Sequence, residues 1–199
     1  MRESIHLGAA AVVGPDGEVV RALGDIDALI YPRSTLKFLQ AITVLRSGVD
    51  LDGPELVLAA ASHTGTAAHV EVVRSILHRA GLDESALQCP AGWPSDPNSR
   101  DEASGPARIT MNCSGKHAAM LSACVARDWP LESYLEPTHP IQLAVMDTIA
   151  ELAGETDYEL GIDSCGLPIV PLSLSALARE RNIHLVEDVA DVQGLDLPP

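Results

Sequence analysis

The chain has 199 residues, 46% of them hydrophobic and 21% charged, which fits a folded domain and excludes a disordered polymer. Its 13 basic and 28 acidic residues give a formal charge of −15. That argues against nucleic acid or an anionic membrane as partner, because both need a basic face. Aromatics make up only 3%, so the core must be built from Ala, Val, Leu and Ile. No stretch approaches the roughly 18 apolar residues of a membrane helix. Met1-Arg2-Glu3-Ser4 does not open a charged segment followed by an apolar run, so no secretory leader is expected. Cys89, Cys113, Cys124 and Cys165 are few and widely spaced. They predict free thiols in a reducing cytoplasm rather than a disulfide framework.

In chain order, the apolar residues 7–13, the turn Gly14-Pro15-Asp16-Gly17 and Val19-Val20 predict a β-hairpin. Leu36, Leu39, Ile42, Val44 and Leu45 form a helical stripe over 34–47, ended by Gly48. Leu56 to Ala61 is an apolar run that delivers Ser62 at its end. Thr66 caps a predicted helix over 67–80 that Gly81 closes. Four prolines and two glycines over 90–108 predict a long loop able to cover a site. Arg108 to Met111 reads as a short strand leading into a helix from about 115 to 128, with Cys124 a buried core thiol. His139-Pro140 opens a helix over 140–153. Two short strands then flank the turn Asp163 to Pro168, and a last helix covers 173–181. Hairpin strands without regular βαβ units favour α+β over a doubly wound sheet.

Four segments concentrate reactive side chains. Ser34 stands three residues before Lys37, one helical turn, so the two share a face. This pair is either a capping serine with a solvated lysine or a nucleophile with its general base. The second reading requires Lys37 to be desolvated or to lie beside another cation, so that its pKa falls. Ser62-His63-Thr64-Gly65 is either an ordinary turn or a second hydroxyl of the same site. Asp163 is either a turn former or an anchor for an amine. Cys113, Lys116 and Cys165 do not have standard zinc spacing, and on residues alone they read as buried thiols, with His117 adjacent as a substitute ligand.

Taken together, Glu3-Ser4-Ile5-His6, Arg33-Ser34-Thr35-Leu36-Lys37, Ser62-His63-Thr64-Gly65, Cys113-Ser114-Gly115-Lys116-His117 and Asp163-Ser164-Cys165-Gly166-Leu167-Pro168 resemble, in that order, the thermolabile, Rhizobium-type L-asparaginase family, asparaginase II. The resemblance covers about residues 2–180, and Cys-Ser-Gly-Lys-His is its most specific block. It implies hydrolysis of L-asparagine to L-aspartate and ammonia. It also implies a fold similar to serine β-lactamases and serine-type glutaminases, an antiparallel sheet covered by helices. By the same resemblance Ser34 is the nucleophile, Lys37 its base and Ser62 the second serine. Arg33, His63 and Asp163 would hold substrate. Cys113, Lys116 and Cys165 would hold zinc, an orienter of substrate more than a source of hydroxide. The oxyanion hole would come from backbone N–H groups at the start of the 34–47 helix and at Gly65 or Gly115.

The chain departs from the family in length. The family's C-terminal half carries a second lysine, in Gly-Lys-x-Gly, that pairs with the second serine, whereas the last lysine here is Lys116. Phe38 replaces the usual proline, and Thr66 an acidic residue. The expectation is therefore a truncated asparaginase-like domain over 1–182 with a divergent acidic tail over 183–199. Its sheet would keep an open apolar edge, which favours pairing of two copies. The alternatives are a non-catalytic remnant that binds zinc or a small amino acid, and another Ser-x-x-Lys amidase such as a glutaminase.

Overall fold

The computed structural model describes residues 7–156 and 159–183, without the side chains of 180–183. The segment Glu3 to His6 and the tail beyond 183 lie outside the described residues. The strands are β1 (Ala10–Val13), β2 (Val19–Leu23) and β3 (Leu29–Ile30), followed by helices α1 (Lys37–Arg46), α2 (Gly53–Ala60), α3 (Ala67–Arg79), α4 (Pro97–Glu102), α5 (Ser114–Ala126) and α6 (Pro140–Ala153). The chain then forms β4 (Gly161–Ile162), β5 (Pro168–Ile169), β6 (Leu172–Ser173) and α7 (Leu174–Ile183). The described strands form three two-stranded antiparallel pieces, β1–β2, β3–β6 and β4–β5. The chain is therefore α+β, as its sequence predicts.

The contacts divide the chain into two compact units, where the sequence reads as one domain. One comprises Met1–Pro32, Ile149–Glu159 and Val170–Pro199, the other Arg33–Thr148 and Leu160–Ile169. In the first unit, β1 pairs with β2 as the hairpin predicts, with Ala10 opposite Leu23. Gly17, at φ 77°, closes the turn by donating its N–H to the Gly14 carbonyl at 2.9 Å. Helix α7 packs on β1 and β6. Ser173 Oγ donates to Glu155 Oε1 at 2.5 Å and Ser175 Oγ to Asp27 Oδ1 at 2.7 Å, which ties two buried serines to carboxylates.

The second unit holds every residue the sequence singles out as a site candidate. Its centre is α5, in which all residues from Ser114 to Cys124 are buried. The helix is small and apolar almost all round, which is how a helix becomes the middle of a core. It packs against α1, α2 and α3. Cys124 is fully buried and free, the core thiol expected. The Thr66 cap of α3 is present: its hydroxyl accepts the His69 N–H, and Gly81 follows the helix at φ 72°.

Two expectations fail locally. Arg108 to Met111 is a turn, not a strand: the Met111 N–H bonds back to the Arg108 carbonyl, and Thr110 Oγ1 donates to the Gly92 and Ala107 carbonyls, curling the backbone. The 90–108 loop contains α4, because Asp96 accepts the Ser99 N–H at 2.8 Å and Pro97 opens the first turn.

Close approach of α2 to α5 depends on Gly115. A Cβ there would lie 2.6 Å from the Leu58 carbonyl oxygen, a backbone atom that cannot swing away. Gly115→Ala is expected to destabilise the fold by about 1–3 kcal/mol, read as a lowered midpoint of urea unfolding.

Candidate active site

The structure brings Lys37 to a serine, but to Ser62 and not to Ser34. Residues Arg33 to Leu36 form a single 3-10 turn and α1 begins at Lys37. Ser34 thus sits on an exposed turn, while the Lys37 side chain follows the buried face of α1 and is 2% exposed. Lys37 Nζ donates to Ser62 Oγ at 2.6 Å and to the Ala61 carbonyl at 3.2 Å. Among the described residues no hydrogen bond joins Ser34 to Lys37. Helix α2 ends at Ala60, and the extended Ala61 presents Ser62 to the lysine. Burial pushes the Lys37 pKa down, and the Lys116 charge adds to this, while the thiols of Cys113 and Cys165 pull the other way. A lysine in this state is a better proton acceptor than a solvated one.

Arg33 lies at φ 53°, the left-handed region that costs a non-glycine residue about 1 kcal/mol or more. The conformation points its guanidinium to Asp163 Oδ1 and Ser164 Oγ, both at 3.0 Å. Asp163 is held by the β4–β5 turn, where its N–H donates to the Leu167 carbonyl and its carbonyl accepts from Gly166. Burial raises the Asp163 carboxyl, but the Ser164 N–H, Lys116 and Arg33 outweigh it, so its pKa falls below the ordinary value.

The same turn carries Cys165 to the start of α5. Lys116 Nζ lies 3.4 Å from Cys165 Sγ, with 49 residues between them in sequence. Cys113 shares a hydrogen bond with Cys165, and that bond, with the charges of Lys116 and Lys37, overcomes burial and lowers the Cys113 thiol to about 6. Cys165 is pushed up to about 11, by the shared bond first and burial second. The two sulfurs titrate as a pair, in which Cys113 is the more acidic partner. Two cysteine sulfurs and a buried amine are groups that zinc accepts once they have lost their protons. The described residues contain no group of three or more His, Cys, Asp and Glu placed to hold a metal, so the third donor of any such set is Lys116.

His63 has another place. It is 5% exposed, its Nδ1 accepts the Gly65 N–H at 3.1 Å, and its Nε2 is 2.8 Å from Ser114 Oγ. Ser114 Oγ donates in turn to the Ile109 carbonyl at 2.7 Å. With both ring nitrogens engaged, His63 clamps the Ser62–Gly65 turn to the start of α5 and offers no free nitrogen to a ligand. The Gly65 N–H is spent on His63, which removes it from an oxyanion hole. The sequence pattern did not flag the partner Ser114, nor the contact of His117 with Tyr134, 2.8 Å from Nδ1 to the hydroxyl. Tyr134 carries no motif, and its burial is its only signal.

Burial lowers the His63 pKa to about 4, aided by His69 and Lys37. An unfolded histidine binds its proton near 6.5, so between about 4 and 6.5 the unfolded chain holds more protons and stability falls as pH falls. The His63 contribution is complete above about pH 6.5 and lost on acidification towards 4. His63→Gln is expected to flatten the pH dependence of unfolding free energy across that window by on the order of 2 kcal/mol, measured by urea titrations at pH 7, 5.5 and 4.5.

Comparison with curated proteins gives no match to the chain. The family model of L-asparaginase II matches residues 1–191, which takes in the whole candidate site and the first part of the segment beyond 183. The chain belongs to the L-asparaginase II family.

Proposed function

We propose that the chain is an amidohydrolase that converts L-asparagine to L-aspartate and ammonia by serine–lysine chemistry. The observation that carries this is the buried Lys37, its pKa lowered, 2.6 Å from a serine hydroxyl and one helical turn after a second, exposed serine. An amide is a poor electrophile, so its attack needs a hydroxyl stripped of its proton and a proton for the departing amine. Ser34 attacks the side-chain carbonyl, Ser62 and Lys37 receive the proton, and Lys37 returns it to ammonia. Water then releases aspartate from the ester. Asp163 takes the substrate's α-ammonium and Arg33 its α-carboxylate. The reading extends to a fold of the serine β-lactamase and glutaminase kind, a cytoplasmic location that keeps the buried thiols free, and pairing of two copies.

Cys113, Lys116 and Cys165 are the residues that would hold a zinc ion. Such an ion would supply a Lewis acid that orients or polarises a substrate oxygen. Lys116 could act as a ligand only through a neutral amine, so metal binding there would release its proton. The Cys165→Ala variant is expected to lose bound zinc, checked by elemental analysis of the purified protein.

The 2.6 Å bond from Lys37 also favours a second reading, in which Ser62 is the nucleophile. Ammonia release from L-asparagine and mass detection of the acylated protein separate the two. Ser34→Ala is expected to lower turnover by about a thousandfold or more and abolish the acyl adduct, while Ser62→Ala slows turnover without moving the adduct from Ser34. An adduct that survives Ser34→Ala and vanishes in Ser62→Ala assigns attack to Ser62. No release by the folded 199-residue chain rejects the catalytic reading in favour of a binding remnant, and faster release from L-glutamine makes it a glutaminase.

A further inference from the structure

The Ser62–Gly65 turn has a second anchor besides His63. The Thr64 carbonyl accepts two successive backbone N–H groups, from Ser95 at 2.9 Å and from Asp96 at 3.1 Å. Both donors belong to the loop 93–106, whose ends are drawn together by a pair of bonds. The Gly92 N–H donates to the Ala107 carbonyl at 3.0 Å, and the Ala107 N–H to the Gly92 carbonyl at 3.2 Å. Thr110 Oγ1 lies against both of these carbonyls, at 2.6 Å and 3.1 Å, and locks the neck with its one proton. The loop is also stiffened from within. Asp96 caps α4 by accepting the Ser99 N–H and hydroxyl, both at 2.8 Å, and Arg100 stacks over the Trp93 ring at 5.3 Å. A loop closed at its ends and packed on its own side chains moves as a body. Gly65 completes the joint. At φ 77° it brings the turn so close that a Cβ would lie 2.9 Å from the Thr110 carbonyl oxygen and 3.1 Å from Pro94 Cα. Thr110 therefore meets both parts, the neck with its side chain and the serine turn with its main chain.

We infer that Thr110 is a positioning residue for Ser62, acting through the 93–106 loop that it closes. The inference deepens the serine–lysine reading proposed above and rests on it for the effect on turnover, though not for the anchorage. Ser62 is exposed, so little packing holds its own side chain. The backbone of the turn therefore sets where Oγ stands beside Lys37 Nζ, now 2.6 Å away. His63 ties that turn to the start of α5, while the Ser95 and Asp96 amides hold the Thr64 carbonyl. Opening the neck would release those two amides and leave the turn pinned on one side. Proton transfer between Ser62 and Lys37 is needed whether Ser62 relays the proton or attacks. It falls steeply with misplacement, since an error of about 1 Å costs on the order of 100-fold. The loop expected from its prolines to cover a site thus serves to hold one of the site's serines.

The test is amide hydrogen exchange followed by NMR on the full chain, with ammonia release from L-asparagine measured on the same preparations. In the wild type the Ser95 and Asp96 amides are expected to be protected. Thr110→Val is expected to speed exchange at Ser95, Asp96, His63 and Gly65 by about 10-fold or more, while amides inside α3 keep their protection. Its kcat is expected to fall by about 10-fold or more at constant KM, because Arg33 and Asp163, the proposed substrate anchors, lie outside the loop. Thr110→Ser, which keeps the hydroxyl, restores both. Unprotected Ser95 and Asp96 amides in the wild type overturn the anchorage. Faster exchange at Ser95 and Asp96 with His63 and Gly65 unmoved overturns the positioning role, as does an unchanged kcat or an effect on KM alone. If Thr110→Val does not fold, Asp96→Ala loosens the same loop at its α4 cap and is read in the same way, with Asp96→Asn as the variant that keeps the cap. A wild-type chain that releases no ammonia rejects the amidohydrolase reading, and exchange at His63 and Gly65 still decides whether Thr110 holds the turn.

Discussion

Two lysines buried at the start of two helices are the constraint around which the larger unit is organised. Lys37 is 2% and Lys116 3% exposed. Burying an ammonium costs several kcal/mol unless a counter-charge or loss of the proton relieves it. The unit uses both remedies. The Cys113 thiol, beside Cys165 and near both lysines, is made more acidic there and is the nearest source of a counter-charge. Lys37, penalised by desolvation, gives ground in pKa. An arrangement so costly in stability is expected at sites of chemistry, where perturbed titrations cluster.

The rest of the unit holds these groups in place. Gly115 lets α2 press on α5, and α2 ends where Ser62 must meet Lys37. His63 joins that turn to Ser114, next to Cys113, by bonds that use both its ring nitrogens. The β4–β5 turn then serves two groups at once, Cys165 for the thiol pair and Asp163 for Arg33. Displacement of the serine turn would therefore be felt at the thiols, because His63 and Ser114 connect them through rigid contacts rather than through solvent.

How much of this was legible depends on range. The β1–β2 hairpin, the Thr66 cap and the Pro140 opening of α6 are local signals, each written within a few residues, and the chain follows them. Arg108 to Met111 was misread because β propensity cannot register a threonine hydroxyl that captures two carbonyls. The Ser34–Lys37 spacing could not show that Lys37 bonds Ser62, which lies 25 residues away and is brought near only by the ending of α2. The thiol pair shows the same limit more sharply. Its spacing matches no metal motif, and the resemblance to a family, not the pattern of residues, marked Cys113, Lys116 and Cys165 as one cluster. Tyr134 had no local signal at all.

The charge of the protein bears on which substrate the proposed reaction can take. A net charge of −15 would repel an anionic substrate over the distances at which proteins steer ligands. Free asparagine is a zwitterion with no net charge, so the global field neither attracts nor repels it, and selection falls to local groups. Arg33 and Asp163 offer opposite charges 3.0 Å apart, the complement of an α-carboxylate beside an α-ammonium. They satisfy each other in the structure. The Arg33 side chain is 62% exposed but that of Asp163 only 10%, so parting them leaves a near-buried carboxylate that needs another cation, and the proposed substrate's α-ammonium is such a cation. The left-handed backbone at Arg33 holds its guanidinium over Asp163, so that strain is met in folding.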